Sequence, residues 1–306
     1  GHKFAKRALE IAAAGRHNLL MIGPAGSGKS MLAKAFPSIF PNLSPAEILE
    51  NSIISSISKS SGNETMQYEI PFRAPHHSAS HIAISGGGKK AQPGEVSLAN
   101  NGILFLDELP EFNKTTLETL RQPMEDGEIT IARADNHITY PAKFILIAAM
   151  NPCRCGNLNE DSGKCYRAPR CGAEYQSRIS GPLMDRFDMI INVTHQQNLW
   201  NLQHSNKENE SSNDILTRIG HSYMIADKRY KLEDIKYNSQ LSGNLLNKYA
   251  KLNKESQDIL ARIYKKKKLS HRSINKIIKL ARTIADLQNR EEIKTSDILE
   301  AVSYKT

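Results

Sequence analysis

Short apolar runs without polar alternation are the first pattern in the chain. Residues 19–22, 103–106 and 144–149 are uninterrupted runs of four to six apolar residues. Runs of this kind are typical of strands buried on both faces of a parallel sheet. Ligands bind at the carboxyl ends of such strands. The residues that follow the three runs are therefore the first candidates for a functional site.

Helical and alternating patterns surround these runs. Apolar residues recur at helical spacing over 4–12, and Gly15 is the predicted C-cap of that helix. The segment SPAE at 44–47 has the form of a capping box with proline at the first helical position, so a second helix is predicted to begin there. Two alternating runs at 129–131 and 138–140 predict a β-hairpin with a polar, partly basic tip.

The same patterns predict the domain organisation. Helical spacing with candidate caps recurs from residue 241 to 302, which predicts a small all-helical lid, and the segment before it is unusually rich in Asn and Gln. We predict an α/β core with a parallel sheet over 1–195, including a cysteine loop at 153–171. A polar linker over 196–214 and the lid over 215–306 complete the prediction.

A phosphate-binding loop follows the first apolar run. The pattern G-x-x-x-x-G-K-[ST] is filled by Gly23, Pro24, Ala25, Gly26, Ser27, Gly28, Lys29 and Ser30, with Met31 opening the next helix. Strand, loop and helix arrive in the order that this motif requires, which argues against a chance glycine-rich turn. Backbone N–H groups and the helix N-terminus would surround the phosphates, Lys29 would reach the β- and γ-phosphates, and Ser30 would bind Mg²⁺.

Polar residues also follow the other two runs. Asp107 and Glu108 come directly after 103–106, where Asp107 would hold Mg²⁺ and Glu108 would orient and deprotonate the attacking water. An acidic pair at a strand end is by itself more often structural, but a complete phosphate loop in the same chain favours the catalytic role. Asn151 follows the third run, and its amide can bond the water and the γ-phosphate.

All four cysteines fall within one short segment. Cys153 and Cys155 are separated from Cys165 by nine residues, and Cys171 follows after five more. Such clustering in a reducing compartment favours a structural zinc site of four thiolates over disulfides. The spacing departs from the usual pair of CxxC motifs, so free thiols stay open as the alternative.

The charge balance is basic, with a net charge of +9 and a pI near 9.3. This balance suits a phosphate-rich partner, although a lysine-rich surface is often only solvated. Neither a signal peptide nor a membrane-spanning run is recognisable, so the cytoplasm is the expected location. The adjacent pair His76-His77 lacks a matching ligand set, and the triglycine followed by Lys89 and Lys90 predicts a flexible basic loop.

Longer motifs identify a family. The chain resembles the AAA+ ATPases of the magnesium-chelatase-like group, and within that group the ComM (YifB) family of competence proteins. The segments that carry the resemblance are KRALEIAAAG at 6–15, FRAPHH at 72–77, PGE at 93–95, SLA at 97–99, LFLDELPEF at 104–112, AMNPC at 149–153, RISGPLMDRFD at 178–188, LSHR at 269–272 and ARTIADL at 281–287.

The resemblance implies a homo-hexameric ring whose ATP sites lie between subunits. It implies that Asn151 is the sensor residue, Arg186 the arginine finger offered to the neighbour's γ-phosphate, and Arg272 the sensor arginine of the lid. By analogy with related hexameric helicases, Lys89, Lys90 and Arg133 would face the pore and contact DNA phosphates. Members also carry an N-terminal domain similar to the Lon protease domain, and residue 1 is expected to lie inside a longer protein.

Two functions from different classes are consistent with these residues. The first is a DNA motor that couples ATP hydrolysis to helicase or branch-migration activity in natural transformation, as the resemblance implies. The second is a motor of the magnesium-chelatase type that remodels a partner enzyme for metal insertion. The presence of Asp107, Glu108 and Asn151 argues against a scaffold that binds ATP without hydrolysing it. The cofactors expected in either case are ATP and Mg²⁺, with a structural Zn²⁺.

Overall fold

A computed structural model describes residues 2–58, 66, 68–132, 137–158, 165–194, 210–267 and 269–305. Its strands are β1 (Leu19–Ile22), β2 (Phe72–Arg73), β3 (Gly86–Gly87), β4 (Gln92–Pro93), β5 (Ile103–Leu106), β6 (Glu128–Ala132), β7 (His137–Pro141), β8 (Ile145–Met150) and β9 (Met189–Asn192). The helices of the first half are α1 (Lys3–Gly15), α2 (Lys29–Ala35), α3 (Pro45–Ile57), α4 (His81–Ser85), α5 (Glu95–Leu98), α6 (Lys114–Thr119) and α7 (Arg121–Asp126). Those of the second half are α8 (Arg170–Gln176), α9 (Gly181–Met184), α10 (Ser212–Tyr230), α11 (Gly243–Tyr249), α12 (Lys254–Lys267), α13 (His271–Leu287) and α14 (Thr295–Ser303).

The central sheet has the order β2-β5-β8-β1-β9, and all of its pairings are parallel. Successive residues of its inner strands face opposite sides. Leu19 and Met21 pack in one hydrophobic layer with α1 and the lid helices, whereas Leu20 packs in the other layer with α6 and the β6–β7 hairpin. Burial on both sides explains why these strands are continuous apolar runs. The predicted parallel α/β core followed by an all-helical unit is confirmed.

The helical unit begins slightly earlier than predicted. Ser211 caps α10 in a reciprocal capping box with Asp214, so the helix starts at Ser212 and residues 212–214, placed in the linker by the sequence, are helical. Linker residues 196–209 lie outside the described part of the chain. No helix among the described residues is long and apolar enough to cross a membrane.

The role predicted for Gly15 is wrong. Gly15 is the last residue of α1, and Arg16 takes the left-handed cap conformation with φ of 57°. A Cβ on Gly15 would lie 2.2 Å from Nε2 of His17 and 2.5 Å from Oγ1 of Thr283 on α13. Glycine is needed here for the close approach of the core and the lid, and not for the turn itself.

Part of the triglycine segment forms a short strand that the sequence pattern did not predict. Gly86 and Gly87 form β3, which pairs with β4 in a separate antiparallel ribbon, and Lys89 and Lys90 are exposed in the turn between the strands. The capping box at 44–47 and the β6–β7 hairpin form as predicted, although Arg133 at the hairpin tip lies outside the described residues.

Candidate active site

The phosphate loop connects β1 to α2 at the carboxyl edge of the sheet. Gly26 and Gly28 have φ of 75° and 86°, a left-handed conformation that glycine adopts at little cost. The ammonium group of Lys29 is largely buried and donates to the carbonyl oxygens of Gly23 and Pro24, each at 2.7 Å. Burial lowers its pKa. Lys29 is therefore held at the mouth of the loop by carbonyl groups that a phosphate can replace as partners.

Two oxygen ligands suited to Mg²⁺ lie side by side. Oγ of Ser30, at the start of α2, donates to Oδ2 of Asp107 at 2.6 Å. Asp107 directly follows β5, and β8 separates that strand from β1. A hydroxyl and a carboxylate are the hard oxygen donors that Mg²⁺ prefers, usually together with nucleotide phosphates and water. The chemistry of the pair fits the predicted ion.

Glu108 follows in an unusual backbone conformation, with φ of 52° and ψ of 45°. Its carboxylate is half exposed, and Oε2 lies 3.3 Å from Nδ1 of His77. The imidazole of His77 lies against that of His76, tilted by 34° with 4.1 Å between ring centroids, and meets Phe112 edge-on at 6.4 Å. The sequence pattern raises a metal-ligand role for this histidine pair and argues against it, because no matching ligand set lies nearby. The signal that it misses is the pairing of β2 with β5, which brings His77 to Glu108.

Asn151 lies beside the phosphate loop, just past the end of β8. Its Oδ1 is 3.3 Å from Nζ of Lys29. Because β8 lies between β1 and β5, an amide at its end is positioned between the loop and the acidic pair. This is the position from which a polar side chain can contact both a γ-phosphate and an attacking water.

Arg186 and Arg272 form a second cluster, on the surface of α7. Nη2 of Arg186 lies 2.6 Å from Oε1 of Glu125, and Nη2 of Arg272 lies 3.0 Å from the same oxygen. Arg186 also donates to the carbonyl oxygens of Pro182 and Arg121, and only 8% of the residue is exposed. The predicted finger and the predicted lid arginine thus share one carboxylate. They line an open groove together with Arg121 and Lys305.

A lysine joins the core to the lid next to this groove. Nζ of Lys276, on α13, donates to the carbonyl oxygen of Phe187 at 3.0 Å and to that of Asp185. Burial lowers the pKa of Lys276 to about 8. The lid helix is thereby attached to the backbone on both sides of Arg186.

The four cysteines converge. The Sγ atoms of Cys153, Cys155, Cys165 and Cys171 all lie within 4.8 Å of one another. Zn–S bonds of about 2.3 Å in a tetrahedron place the sulfurs about 3.8 Å apart, so the cluster fits a zinc ion with little adjustment. A hydrogen bond from the backbone of Asn157, aided by the neighbouring thiols, lowers the pKa of Cys155 to about 7, whereas burial raises that of Cys153.

Comparison with known proteins decides the family. The protein-family model described as "Magnesium chelatase, subunit ChlI" matches residues 1–200. The family model for the C-terminal part of the same subunit matches residues 209–305. The chain belongs to the magnesium chelatase subunit ChlI family. This confirms the resemblance to magnesium-chelatase-like AAA+ proteins, and the two matches together extend over most of the chain.

Individual relatives place the chain within that family. It is 42% identical over 305 residues to the uncharacterized protein YifB of Salmonella typhimurium and 41% identical over 306 residues to the competence protein ComM of Haemophilus influenzae. Both matches cover 100% of this chain, but only 59% and 58% of the relatives. A more distant match, 24% identical over 94% of this chain and 40% of the relative, is the probable DNA helicase MCM9 of Arabidopsis thaliana.

Another arginine of this family member lies close to the short turn that follows Glu108. Nη1 of Arg178 contacts Oε2 of Glu111 at 3.0 Å and the carbonyl oxygen of Pro110 at 3.3 Å. Met31 is exposed in the first turn of α2. Thus Lys29, Ser30, Asp107 and Asn151 lie together, Glu108 adjoins them through Asp107, and Arg186 with Arg272 forms a separate cluster.

Proposed function

We propose that this protein hydrolyses ATP with Mg²⁺ in a homo-hexameric ring and that the ring moves DNA, with helicase or branch-migration activity in DNA uptake and recombination. The observation that carries the ATPase proposal is the contact between Ser30 and Asp107 beside the contact between Lys29 and Asn151. These two contacts unite the four side chains at the edge of the sheet where a nucleotide would bind.

Each residue of the site has a separate role in the proposed reaction. Lys29 and the N–H groups of the loop would bind the β- and γ-phosphates, while Ser30 and Asp107 would hold Mg²⁺, whose charge offsets that of the phosphates. Glu108 would accept a proton from the attacking water while the oxygen of that water forms a bond to the γ-phosphorus. The bond from phosphorus to the bridging oxygen then breaks, and ADP and phosphate leave. Asn151 would orient the water and the γ-phosphate.

Arg186 and Arg272 would complete the site of a neighbouring subunit. They lie in one open groove with two further cations, and guanidinium groups donate to phosphate oxygens in a planar fork. In this proposal both arginines leave Glu125 when they bind the neighbour's phosphates, because a guanidinium group held by Glu125 cannot at the same time donate to a γ-phosphate. A shared carboxylate keeps the two side chains together until that contact forms.

DNA is the proposed substrate for three reasons. The chain carries a net charge of +9, a close relative is named as a competence protein, and a distant one is named as a probable DNA helicase. The exposed turn with Lys89 and Lys90, together with Arg133, would contact phosphates without sequence preference. The four cysteines form no disulfide although their Sγ atoms lie within 4.8 Å of one another, so we propose a reducing, cytoplasmic location and a structural Zn²⁺ bound by the four thiolates.

A magnesium-chelatase-type motor is the second candidate, because the matching family is named for such a subunit. The test measures the ATPase rate of the ring with no DNA, with single-stranded DNA and with forked DNA. We expect stimulation by DNA. Glu108→Gln is the matched control, which should bind ATP but hydrolyse it at least about a hundredfold more slowly. Hydrolysis that is indifferent to DNA, without DNA binding, would favour the chelatase-type motor.

A further inference from the structure

The four-cysteine cluster lies between two parts of the chain near the proposed catalytic site, the segment after β8 that carries Asn151 and the helix α8. Cys153 and Cys155 come directly after Asn151 and Pro152, where the sensor strand β8 ends. Cys171 lies in α8, and Cys165 precedes that helix. The ligands therefore come in two pairs from two different elements, and a bound ion would join those elements.

The first pair adjoins the phosphate loop. Cys153 is fully buried, and its carbonyl oxygen accepts a hydrogen bond from the N–H of Gly156 at 3.0 Å, which closes a tight turn. Gly156 has φ of 84°, and a Cβ there would lie 3.9 Å from the backbone nitrogen of Ala25. The turn that carries Cys153 and Cys155 thus lies next to the loop that would bind the phosphates, close enough that a single added methyl group would contact it.

The second pair is connected to the turn after Glu108. Nε2 of Gln176, at the end of α8, donates to the carbonyl oxygen of Pro152 at 3.1 Å. Arg178 follows that helix, lies over the ring of Tyr175 at 5.8 Å and pairs with Glu111 at 3.0 Å. Glu111 belongs to the short 3-10 helix that starts directly after Glu108. Movement of α8 relative to β8 would therefore move this turn.

We propose that zinc held by Cys153, Cys155, Cys165 and Cys171 fixes the phosphate loop and Asn151 relative to the turn that carries Glu108, so that zinc occupancy controls catalysis. The inference rests on the proposed function, because it assigns the zinc to the same ATP site. Loss of the ion would leave the phosphate loop attached through β1 and α2. The principal effect of losing zinc would be on the placement of Asn151 and Glu108.

This placement predicts a separation of hydrolysis from binding. A displacement of a catalytic group by about 1 Å can lower a rate by about 100-fold. Removal of zinc should therefore reduce kcat by about 10- to 100-fold, while the Kd for ATP changes by less than about threefold. Zinc removal should also increase backbone hydrogen exchange at 107–112, a property that does not depend on turnover.

The test compares three variants with the wild type, all purified without chelator. Cys165→Ser should lose zinc and show both the slower hydrolysis and the faster exchange at 107–112. Gln176→Ala should keep one zinc per chain but show a smaller change of the same kind, because it removes only the bond to Pro152. Tyr166→Ala, which changes a fully exposed side chain next to a ligand, is the control and should match the wild type.

Each result bears on the inference. Wild-type protein without zinc would overturn it, as would Cys165→Ser protein that loses zinc but exchanges and hydrolyses like the wild type. If Cys165→Ser fails to fold, Gln176→Ala decides the question, since unchanged exchange in that variant would contradict the link through α8. Absence of hydrolysis in the wild type would refute the proposed function alone. Zinc content and exchange at 107–112 would then still decide the inference.

Discussion

Nδ1 of His77 lies 3.3 Å from Oε2 of Glu108, so the proposed catalytic base already has a partner within the same chain. The imidazole also contacts the rings of His76 and Phe112. Glu108 itself is half exposed on a left-handed backbone, a conformation that non-glycine residues rarely adopt. We infer that His77 positions the carboxylate of Glu108 and restricts its rotation.

His77→Ala is expected to slow ATP hydrolysis by about tenfold, because the free carboxylate would occupy the catalytic position less often. The affinity for ATP should stay unchanged, since His77 contacts Glu108 and not the phosphate loop. Steady-state kinetics and equilibrium binding of a fluorescent ATP analogue separate the two effects. His77→Asn, which can still donate to the carboxylate, should recover part of the rate.

The exposed His81, at the start of α4, provides a matched control. His81→Ala should hydrolyse ATP like the wild type. Equal rates for His77→Ala and His81→Ala would exclude a positioning role for His77.

Mixed rings test whether Arg186 acts across a subunit interface. Rings made only of Arg186→Ala subunits, or only of Glu108→Gln subunits, should be nearly inactive. Mixtures of the two should recover activity, because some neighbours would combine one intact Glu108 with one intact Arg186. ATPase rates are measured after mass analysis has shown that the rings contain both subunits.

Arg121 is a suitable control for these mixtures. It lies in the same groove, but it pairs with Glu118 one helical turn away. Arg121→Ala rings should keep more activity than Arg186→Ala rings. Confirmed mixed rings without any recovery would show that Arg186 acts within its own subunit or serves the fold.

The lowered pKa of Lys276 implies that the free energy of unfolding rises at alkaline pH. Its pKa is lowered to about 8 in the folded state, whereas an unfolded lysine has a pKa of about 10.4. Between these values the unfolded chain binds more protons, so the free energy of unfolding should increase as the pH rises. Urea unfolding from pH 7 to 10 measures this slope.

Lys276→Met keeps the apolar stem and removes the titrating group. The variant should show a shallower pH dependence than the wild type over the same range. Parallel curves for the two proteins would mean that Lys276 does not account for the pH dependence.

Lys89 and Lys90 are expected to contribute to DNA binding in the ring. The double variant Lys89→Ala, Lys90→Ala should weaken binding of all sequences alike and leave the basal ATPase rate nearly intact. Removing one lysine–phosphate interaction should reduce the slope of log affinity against log salt by about one unit. Fluorescence anisotropy at several salt concentrations provides this slope.

The exposed lysines at the end of α12 supply the comparison. Lys265→Ala with Lys266→Ala removes the same charge from the lid and should change the slope less. A larger effect from the lid variant would transfer the DNA contact from the turn between β3 and β4 to the lid.

The sequence predicted those parts of the site whose chemistry is local. A phosphate loop is defined by consecutive residues, and Asp107 and Glu108 adjoin the strand that positions them. The parallel sheet was predictable because burial on both faces leaves continuous apolar runs. The close spacing of the four cysteines in the chain likewise indicated that their sulfurs could meet.

The parts that the sequence did not predict depend on contacts between distant segments. His77 reaches Glu108 only because β2 and β5 are neighbours in the sheet. Arg186 is buried against Glu125 because α7 packs beside it, a contact that no local pattern encodes. The position of Gly15 in the sequence is typical of a helix cap, but glycine is needed there because a side chain would collide with Thr283, more than 250 residues away in the chain.

The β6–β7 hairpin has one further consequence, which is mechanical. Its two strands pair with each other in a sheet of their own, separate from the five strands of the core. The hydrogen bond from the N–H of Ala142 to the carbonyl oxygen of Gly127 closes the base of the hairpin, and the hydroxyl of Tyr140 donates to the carbonyl oxygen of Ala91 in the turn between β3 and β4. A ribbon of this kind can change its tilt without breaking any pairing of the central sheet, but Ile129 and Tyr140 pack in the hydrophobic layer on that sheet, so any tilt would also have to shift their contacts.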